Sequence, residues 1–366
     1  MENIENYENF EDMQLKENLL RGILGYGFDK PSGVQKKGIV PVIKGNDSVI
    51  QAQSGSGKTG TFSIASLELV DESIKSCQVI ILSPTREIAD QSFIVIKNLS
   101  EYLDINISPV IGGKKLKNDE VSKSQVLVAT PGRMYDMINR GIINMSTLKL
   151  FILDEADQML NKGFKEQIIE ILKYVPKNSQ IAIYSATMPN DILLLTDQFM
   201  KDPLKILVKK EDLTLEGVSQ YYISLETEQE KYETLCDLYK TISVGQSMIY
   251  CSSKKKVIWL SEKLSEEGYP VSSIHGDITQ VDRDKIMKNF RKGETRVLIT
   301  TDLLARGIDI RAVTLVINYD LPEDMQSYIH RIGRTGRFGR KGWAINFVMK
   351  TDDKYMRSIE NYYQTQ

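Results

Sequence analysis

The stretch "SVIQAQSGSGKTGTFSIASLEL" (residues 48–69) decides the fold. Residues 48–50 are a short apolar run that reads as a strand, residues 59–69 read as a helix, and a glycine-rich turn joins them. That order is what a phosphate-binding loop needs. Gly55 and Gly57 permit positive φ and close backbone approach, so successive N–H groups can point at phosphate oxygens. The start of the following helix adds positive potential. Lys58 can reach the β- and γ-phosphates, and the Thr59 hydroxyl can ligate Mg²⁺. The full pattern has glycine where this chain has Ala52, but Gly55-Ser56-Gly57-Lys58-Thr59 keeps the chemistry. The alternative is a Gly/Ser surface turn.

Working outward, short β-branched runs alternate with helical stretches. Residues 76–83, 124–130, 148–155 and 179–187 read as buried parallel strands, with helices over 86–103 and 163–175 among those between them. The second half repeats the habit at 246–253, 270–276, 296–302 and 314–320. Strands alternating with helices predict parallel α/β sheets. The segment 208–218, "VKKEDLTLEGV", is polar and without a clear period, and the domain boundary is expected there. The expectation is two α/β domains, 1–210 and 217–366.

The bulk composition narrows the function. A chain of 366 residues has room for two ordinary domains, and 41% hydrophobic with 26% charged residues is ordinary for a soluble globular protein. No apolar run is long enough to span a membrane, and the acidic start "MENIENYENFEDM" is neither a signal nor a transit peptide. A net charge of −2 means that any polyanion must be held by local Lys and Arg clusters. Cys77, Cys236 and Cys251 are far apart and there are two histidines, so no zinc spacing exists and reduced thiols in a cytosolic or nuclear protein are expected.

Residues 151–160, "FILDEADQML", place Asp154, Glu155 and Asp157 directly after an apolar run. Alone they read equally as a solvated turn or as a cation site with a base beside it. Lys58 tips the balance: in phosphate-loop enzymes a second strand ends in a carboxylate that holds Mg²⁺, which would be Asp154. Glu155 would then orient or deprotonate the attacking water. "HRIGRTGRFGRKG" (330–342) brings Arg331, Arg334, Arg337, Arg340 and Lys341 with no acidic residue. Arg334 and Arg337, three apart, can clamp one phosphate; a basic solvated helix end is the alternative. A phosphate-loop kinase would leave this second-half motif unexplained.

These motifs together resemble the DEAD-box RNA helicases of superfamily two over essentially the whole chain. "GFDKPSGVQ" (27–35), with Phe10 upstream, resembles the adenine-recognising Q motif. "AQSGSGKT" (52–59), "PTREIADQ" (84–91), "GG" (112–113), "TPGR" (130–133), "DEAD" (154–157) and "SAT" (185–187) follow in family order. So do "MIYCSSKK" (248–255), "QVDR" (280–283), "TTDLLARGIDI" (300–310) and "HRIGRTGR" (330–337), with Ser252 and Ser253 standing where the family usually has Asn and Thr. "GFKEQI" (163–168) and "INYDLP" (317–322) are similar to the initiation factor 4A subfamily and its exon-junction relative.

The resemblance implies two RecA-like domains, each a parallel β-sheet flanked by helices, with a nucleotide cleft between them. It implies ATP and Mg²⁺ as cofactors. Phe28, Lys30 and Gln35 would frame and read adenine. Gly55, Ser56, Gly57, Lys58, Thr59 and Gly60 would cradle the phosphates, with Thr59 and Asp154 on the metal. Lys58, Asp154, Glu155, Arg334 and Arg337 would be catalytic, and Gly307 and Asp309 would meet the nucleotide, Asp309 at the ribose. Ser185, Thr187 and His330 would couple the nucleotide to RNA. Thr85, Arg86, Gly113, Thr130 and Arg133, with Arg283, Thr300 and Thr301 in the second domain, would grip RNA through its backbone, on the face opposite the ATP, with little sequence specificity. The implied activity is RNA-dependent ATP hydrolysis coupled to local duplex unwinding, in translation initiation. An ATP-gated RNA clamp on messenger ribonucleoprotein is the rival. A monomer, cytoplasmic or nuclear, with a protein scaffold of the initiation or exon junction complex as partner, completes the expectation.

Overall fold

The computed structural model describes residues 7–52, 55–113, 117–161, 163–206, 218–242, 245–302, 313–323, 325–335 and 341–363. The chain divides into two compact units. In chain order the first carries β1 (Ser48–Gln51), β2 (Val79–Leu82), β3 (Ile107–Val110), β4 (Val126–Ala129), β5 (Leu150–Asp154), β6 (Gln180–Ser185) and β7 (Leu204–Ile206). Among the described residues they form one sheet in the order β3-β4-β2-β5-β6-β1-β7, every pair parallel.

Continuous apolar runs make this sheet because both faces are covered, so every position has a core to enter. Val79 and Ile81 of β2, Val126 and Val128 of β4, and Leu150 and Ile152 of β5 enter one core cluster. Their neighbours Ile80, Leu82, Leu127, Ala129, Phe151 and Leu153 enter the other. Phe10, Met13, Leu19 and Ile23 of the N-terminal segment close the first of these cores.

The second unit carries β8 (Val218–Ser224), β9 (Gln246–Tyr250), β10 (Val271–Ile274), β11 (Val297–Thr300), β12 (Val313–Asn318) and β13 (Gly342–Val348). Among the described residues they form a parallel sheet in the order β10-β11-β9-β12-β13-β8. Ile249, Ile299, Leu315 and Ile317 face one core, and Met248, Tyr250, Leu298 and Val316 the other.

All eight predicted strands form, together with β1. The sequence offered no strand signal for β3, β7, β8 or β13. β3, β7 and β8 lie at sheet edges and are only partly buried, so their apolar pattern is broken. β13 is interior but carries Asn346, whose amide is satisfied by Tyr221 O (3.1 Å) and Tyr328 Oη (3.1 Å). The expected boundary, 208–218, lies outside the described residues except for Val218. No helix among the described residues is long and apolar enough to cross a membrane.

Candidate functional site

In a parallel sheet all strands end at one edge, and the loops beyond that edge are where ligands bind in open α/β folds. β1 delivers the chain to Ala52, whose N–H donates to Ser185 O at the end of β6 (3.0 Å). Ala52 therefore extends the β1–β6 ladder by one residue before the loop begins. Gly55 (φ 86°) and Gly57 (φ 105°) both adopt the left-handed backbone that favours glycine. A Cβ on Gly57 would also stand 2.6 Å from Ser32 Oγ. The helix Lys58–Leu69 starts directly after, with the Thr61 hydroxyl donating to Gly57 O (3.1 Å). Thr59 and Ser56 are half-buried at the loop, and Gly60 is buried.

Two strands away, β5 ends in Asp154, which lies in register with Tyr184 of β6. Glu155 takes the left-handed backbone (φ 51°), a strained state for a residue with a Cβ. Its Oε1 lies 3.3 Å from Lys58 Nζ, and both side chains are buried. The phosphate loop and the acidic strand end are thus joined by a buried ion pair. Burial, reinforced by the Glu155 charge and opposed by Lys58, pushes the Asp154 carboxyl well above the usual carboxylate range. Such a carboxylate is stabilised by a cation beside it. With the Thr59 hydroxyl it offers hard oxygen donors, which fit Mg²⁺.

The next turn links this strand end to its neighbour. Asp157 N–H donates to Ser185 Oγ (3.3 Å), and the Thr187 hydroxyl donates to Asp157 Oδ2 (2.6 Å). Ser185 and Thr187 therefore tie the segment after β6 to the segment after β5.

The Q-motif residues converge on the phosphate loop. Gln35, at the third position of the helix Gly33–Ile43, closes a capping box: its Oε1 accepts from Ser32 N–H (2.8 Å). Its Nε2 donates to Gly57 O (3.4 Å). A Cβ on Gly60 would drive into that same amide and stand 3.1 Å from the Phe28 ring, so Gly60 is what lets Gln35 and Phe28 lie against the loop. Phe28 is half-buried and stacks on fully buried Phe10 (6.3 Å, 18°). Phe10 is thus a core residue that backs Phe28, and Lys30 is exposed.

The first-unit RNA candidates gather beyond β2, β3 and β4, adjacent strands of the same sheet. Thr85 caps the helix Arg86–Leu99, accepting from Ile88 N–H (3.3 Å). The Arg86 guanidinium lies against the Gly112–Gly113 backbone; a Cβ on Gly112 would stand 2.7 Å from Arg86 Nη2. Thr130 precedes the helix Pro131–Asn139, and Arg133 pairs with Asp136 (2.5 Å). Within this unit the nucleotide candidates follow β1, β5 and β6, and the RNA candidates follow β2, β3 and β4.

In the second unit Thr300 ends β11 and is buried, its hydroxyl donating to Ile274 O (2.9 Å). That hydroxyl joins β10 and β11, and Thr301, directly after it, is half-buried. Arg283 lies on the helix Gln280–Lys292. His330 lies on the helix Met325–Ile332, and Arg334 just beyond it donates from Nε back to His330 O (3.0 Å). Gly307, Asp309 and Arg337 lie outside the described residues.

The sequence assigned no role to Arg331. The structure sets its guanidinium bidentate on Asp302 (2.6 and 2.7 Å), with Nη1 donating to Asn318 Oδ1 (3.2 Å) and Asp320 O (2.7 Å). The two serines that depart from the family pattern are local fasteners. Ser252 donates from its N–H and hydroxyl to Asp320 (2.9 Å each), and Ser253 Oγ accepts from Lys256 N–H (3.3 Å) to cap the helix Lys254–Glu266. Asp302 and Asp320 stood inside quoted motifs, but a single sequence carries no signal that pairs them.

The chain resembles known proteins over nearly its whole length. Residues 32–195 match the DEAD/DEAH box helicase family, and residues 230–339 match the helicase conserved C-terminal domain. The chain is 53% identical over 362 residues to the ATP-dependent RNA helicase eIF4A of Mycosarcoma maydis, covering 98% of this chain and 88% of that protein. It is 53% identical to eukaryotic initiation factor 4A of Drosophila melanogaster, covering 98% and 90%. Among solved structures, S. cerevisiae Dbp5 bound to RNA and ADP BeF3 superposes with a TM-score of 0.92 at 36% identity, covering 98% of this chain and 94% of that one.

Proposed function

The chain belongs to the DEAD/DEAH box helicase family, and from that premise we propose that it is an ATP-dependent RNA helicase of translation initiation. The observation that carries the proposal is the buried Lys58–Glu155 pair, which brings a phosphate-loop lysine and a candidate base together across strand ends two apart in one sheet. Gln35 and Phe28 hold the adenine, and the loop N–H groups with Lys58 hold the phosphates. Asp154 and Thr59 hold Mg²⁺, which when bound neutralises charge on the phosphates. Glu155 takes the proton of the attacking water, and the second unit supplies Arg334 and Arg337 to the γ-phosphate.

RNA is held through its backbone by Arg86, Gly113, Thr130 and Arg133 in the first unit and by Arg283 and Thr301 in the second. The Ser185–Thr187–Asp157 bonds tie the segment after β6 to the segment after β5, so a shift of the Ser185–Thr187 segment when RNA binds is passed to the carboxylates at the end of β5. The protein works as a cytoplasmic monomer docked on a scaffold of the initiation machinery. The full-length likeness to initiation-factor helicases supports this over the clamp.

Steady-state phosphate release with and without single-stranded RNA tests the proposal, alongside displacement of a short duplex. Turnover should be low alone and rise at least tenfold with RNA. Equal rates would overturn RNA-coupled hydrolysis.

A further inference from the structure

The Asp320 side chain, 11% exposed, joins more of the second unit than any role so far assigned requires. Its Oδ2 accepts from both Ser252 N–H and the Ser252 hydroxyl (2.9 Å each), which fastens the loop beyond β9. Its Oδ1 accepts from Lys256 Nζ (2.8 Å) and from buried Lys231 Nζ (3.1 Å). Both lysines also approach Glu228, at 3.0 and 3.5 Å, so two ammonium groups are balanced by two carboxylates. Its backbone is engaged as well: Asp320 N–H donates to Tyr250 O (3.2 Å), and Asp320 O accepts from Arg331 Nη1 (2.7 Å). Burial pushes this carboxyl up, but the bonds from Lys256 and Ser252 and the Lys231 charge hold it below the usual carboxylate value.

An ion pair as withdrawn from water as Lys231–Asp320 is a poor source of stability, since desolvation offsets most of the attraction. Its use is geometric. Arg331 lies between Asp320 and Asp302, and its fork on Asp302 is bidentate, a pairing that fixes angle as well as distance. Asp302 directly follows Thr301, and Arg334 stands three residues beyond Arg331.

We propose that Asp320, set by Lys231 and Lys256, is a positioning residue that braces the Arg331 fork on Asp302. The strand end at Thr301 and the segment bearing Arg334 then move as one piece. RNA at Thr301 thereby fixes where Arg334 stands. This role rests on the functional reading above, in which Thr301 meets RNA and Arg334 meets the γ-phosphate.

The experiment measures ATPase of the full chain and of Asp320→Asn, Lys256→Met, Asp302→Asn and the Asp302→Asn/Asp320→Asn double variant. Each is assayed without RNA and across an RNA titration, with KM for ATP, and with thermal melting to set the assay well below unfolding. Asp320→Asn should leave the RNA-free rate and KM within about twofold and lower kcat at saturating RNA about tenfold or more. Lys256→Met, at a partly exposed position, should lower it in the same direction and decides the matter if Asp320→Asn does not fold. The double variant should be no worse than the more severe single one, because both cut one joint. An undiminished RNA response in Asp320→Asn and Lys256→Met, or losses that multiply in the double variant, would overturn the brace while leaving the helicase reading intact. No RNA response in the unmodified chain would instead overturn the helicase reading and the brace with it.

Discussion

Glu155 combines a left-handed backbone (φ 51°) with a buried ion pair to Lys58 at 3.3 Å. Strain of that kind costs about 1–3 kcal/mol and persists where the surroundings enforce it. It aims the carboxylate back toward the phosphate loop. Glu155→Gln keeps the shape and loses the ability to accept a proton. Nucleotide affinity should stay within about threefold while turnover falls by about 10²–10⁴. Equilibrium nucleotide binding and single-turnover hydrolysis check this, and hydrolysis near the normal rate would remove Glu155 from the chemistry. Gln35 carries a second prediction, altered by what the structure adds. Its amide braces the loop through Gly57 O (3.4 Å), so it does more than face a base. Gln35→Ala should weaken ATP and GTP alike through the loop, and ATP further through the lost adenine bonds, each worth on the order of 1–3 kcal/mol when left unmade. An equal loss for both nucleotides, by competition binding, would leave only the bracing role.

At the scale of elements, the helix Glu17–Gly25 crosses the end of the helix Arg86–Leu99 so closely that a Cβ on Gly22 would drive into Leu99 O. Alanine in a helix is intrinsically better than glycine by about 1 kcal/mol. A rigid backbone carbonyl cannot give way as a side chain would, so the steric term wins. Gly22→Ala should destabilise the first unit by about 1–3 kcal/mol, seen as a lower denaturant midpoint with an unchanged slope; a stabilised variant would show that the helices can part. In the second unit the Asp320 cluster predicts an acid sensitivity. A carboxyl held below its ordinary value contributes stability above that value, near pH 4, and the contribution is lost as pH falls through the folded one. Unfolding of the full chain followed through second-unit Trp259 and Trp343 should lose stability below about pH 4, and Asp320→Asn should lose less over that interval. Parallel pH profiles would show that Asp320 does not drive it.

At the scale of the whole molecule, residues 1–210 hold the loop, Asp154 and Glu155, and lack the arginines. An arginine at a γ-phosphate is worth about 10³–10⁵ in rate, or roughly 4–7 kcal/mol of barrier. The isolated first unit should bind nucleotide nearly as well as the full chain and turn it over negligibly, and Arg334→Ala in the full chain should behave the same way. RNA-stimulated phosphate release across the three proteins is the measurement. A fragment as active as the whole would reduce the second unit to an RNA-binding appendage.

Parallel strands covered on both faces must be apolar at nearly every position, so 79–82, 126–129, 150–154 and their second-half counterparts could be found by composition along a short window. The phosphate loop was legible for a similar reason, because glycine, lysine and threonine act there through local backbone geometry. Edge strands escaped, since half-exposed positions carry no continuous signal, and β13 escaped because Asn346 is satisfied by residues remote in sequence. Only tertiary structure decided that Lys58 meets Glu155, that Gln35 leans on Gly57, and that Asp320 binds Ser252, Lys231 and Arg331 at once. Most of those pairings join residues more than twenty positions apart, and what brings them together is the packing of elements around the two sheets, which no local window of sequence contains.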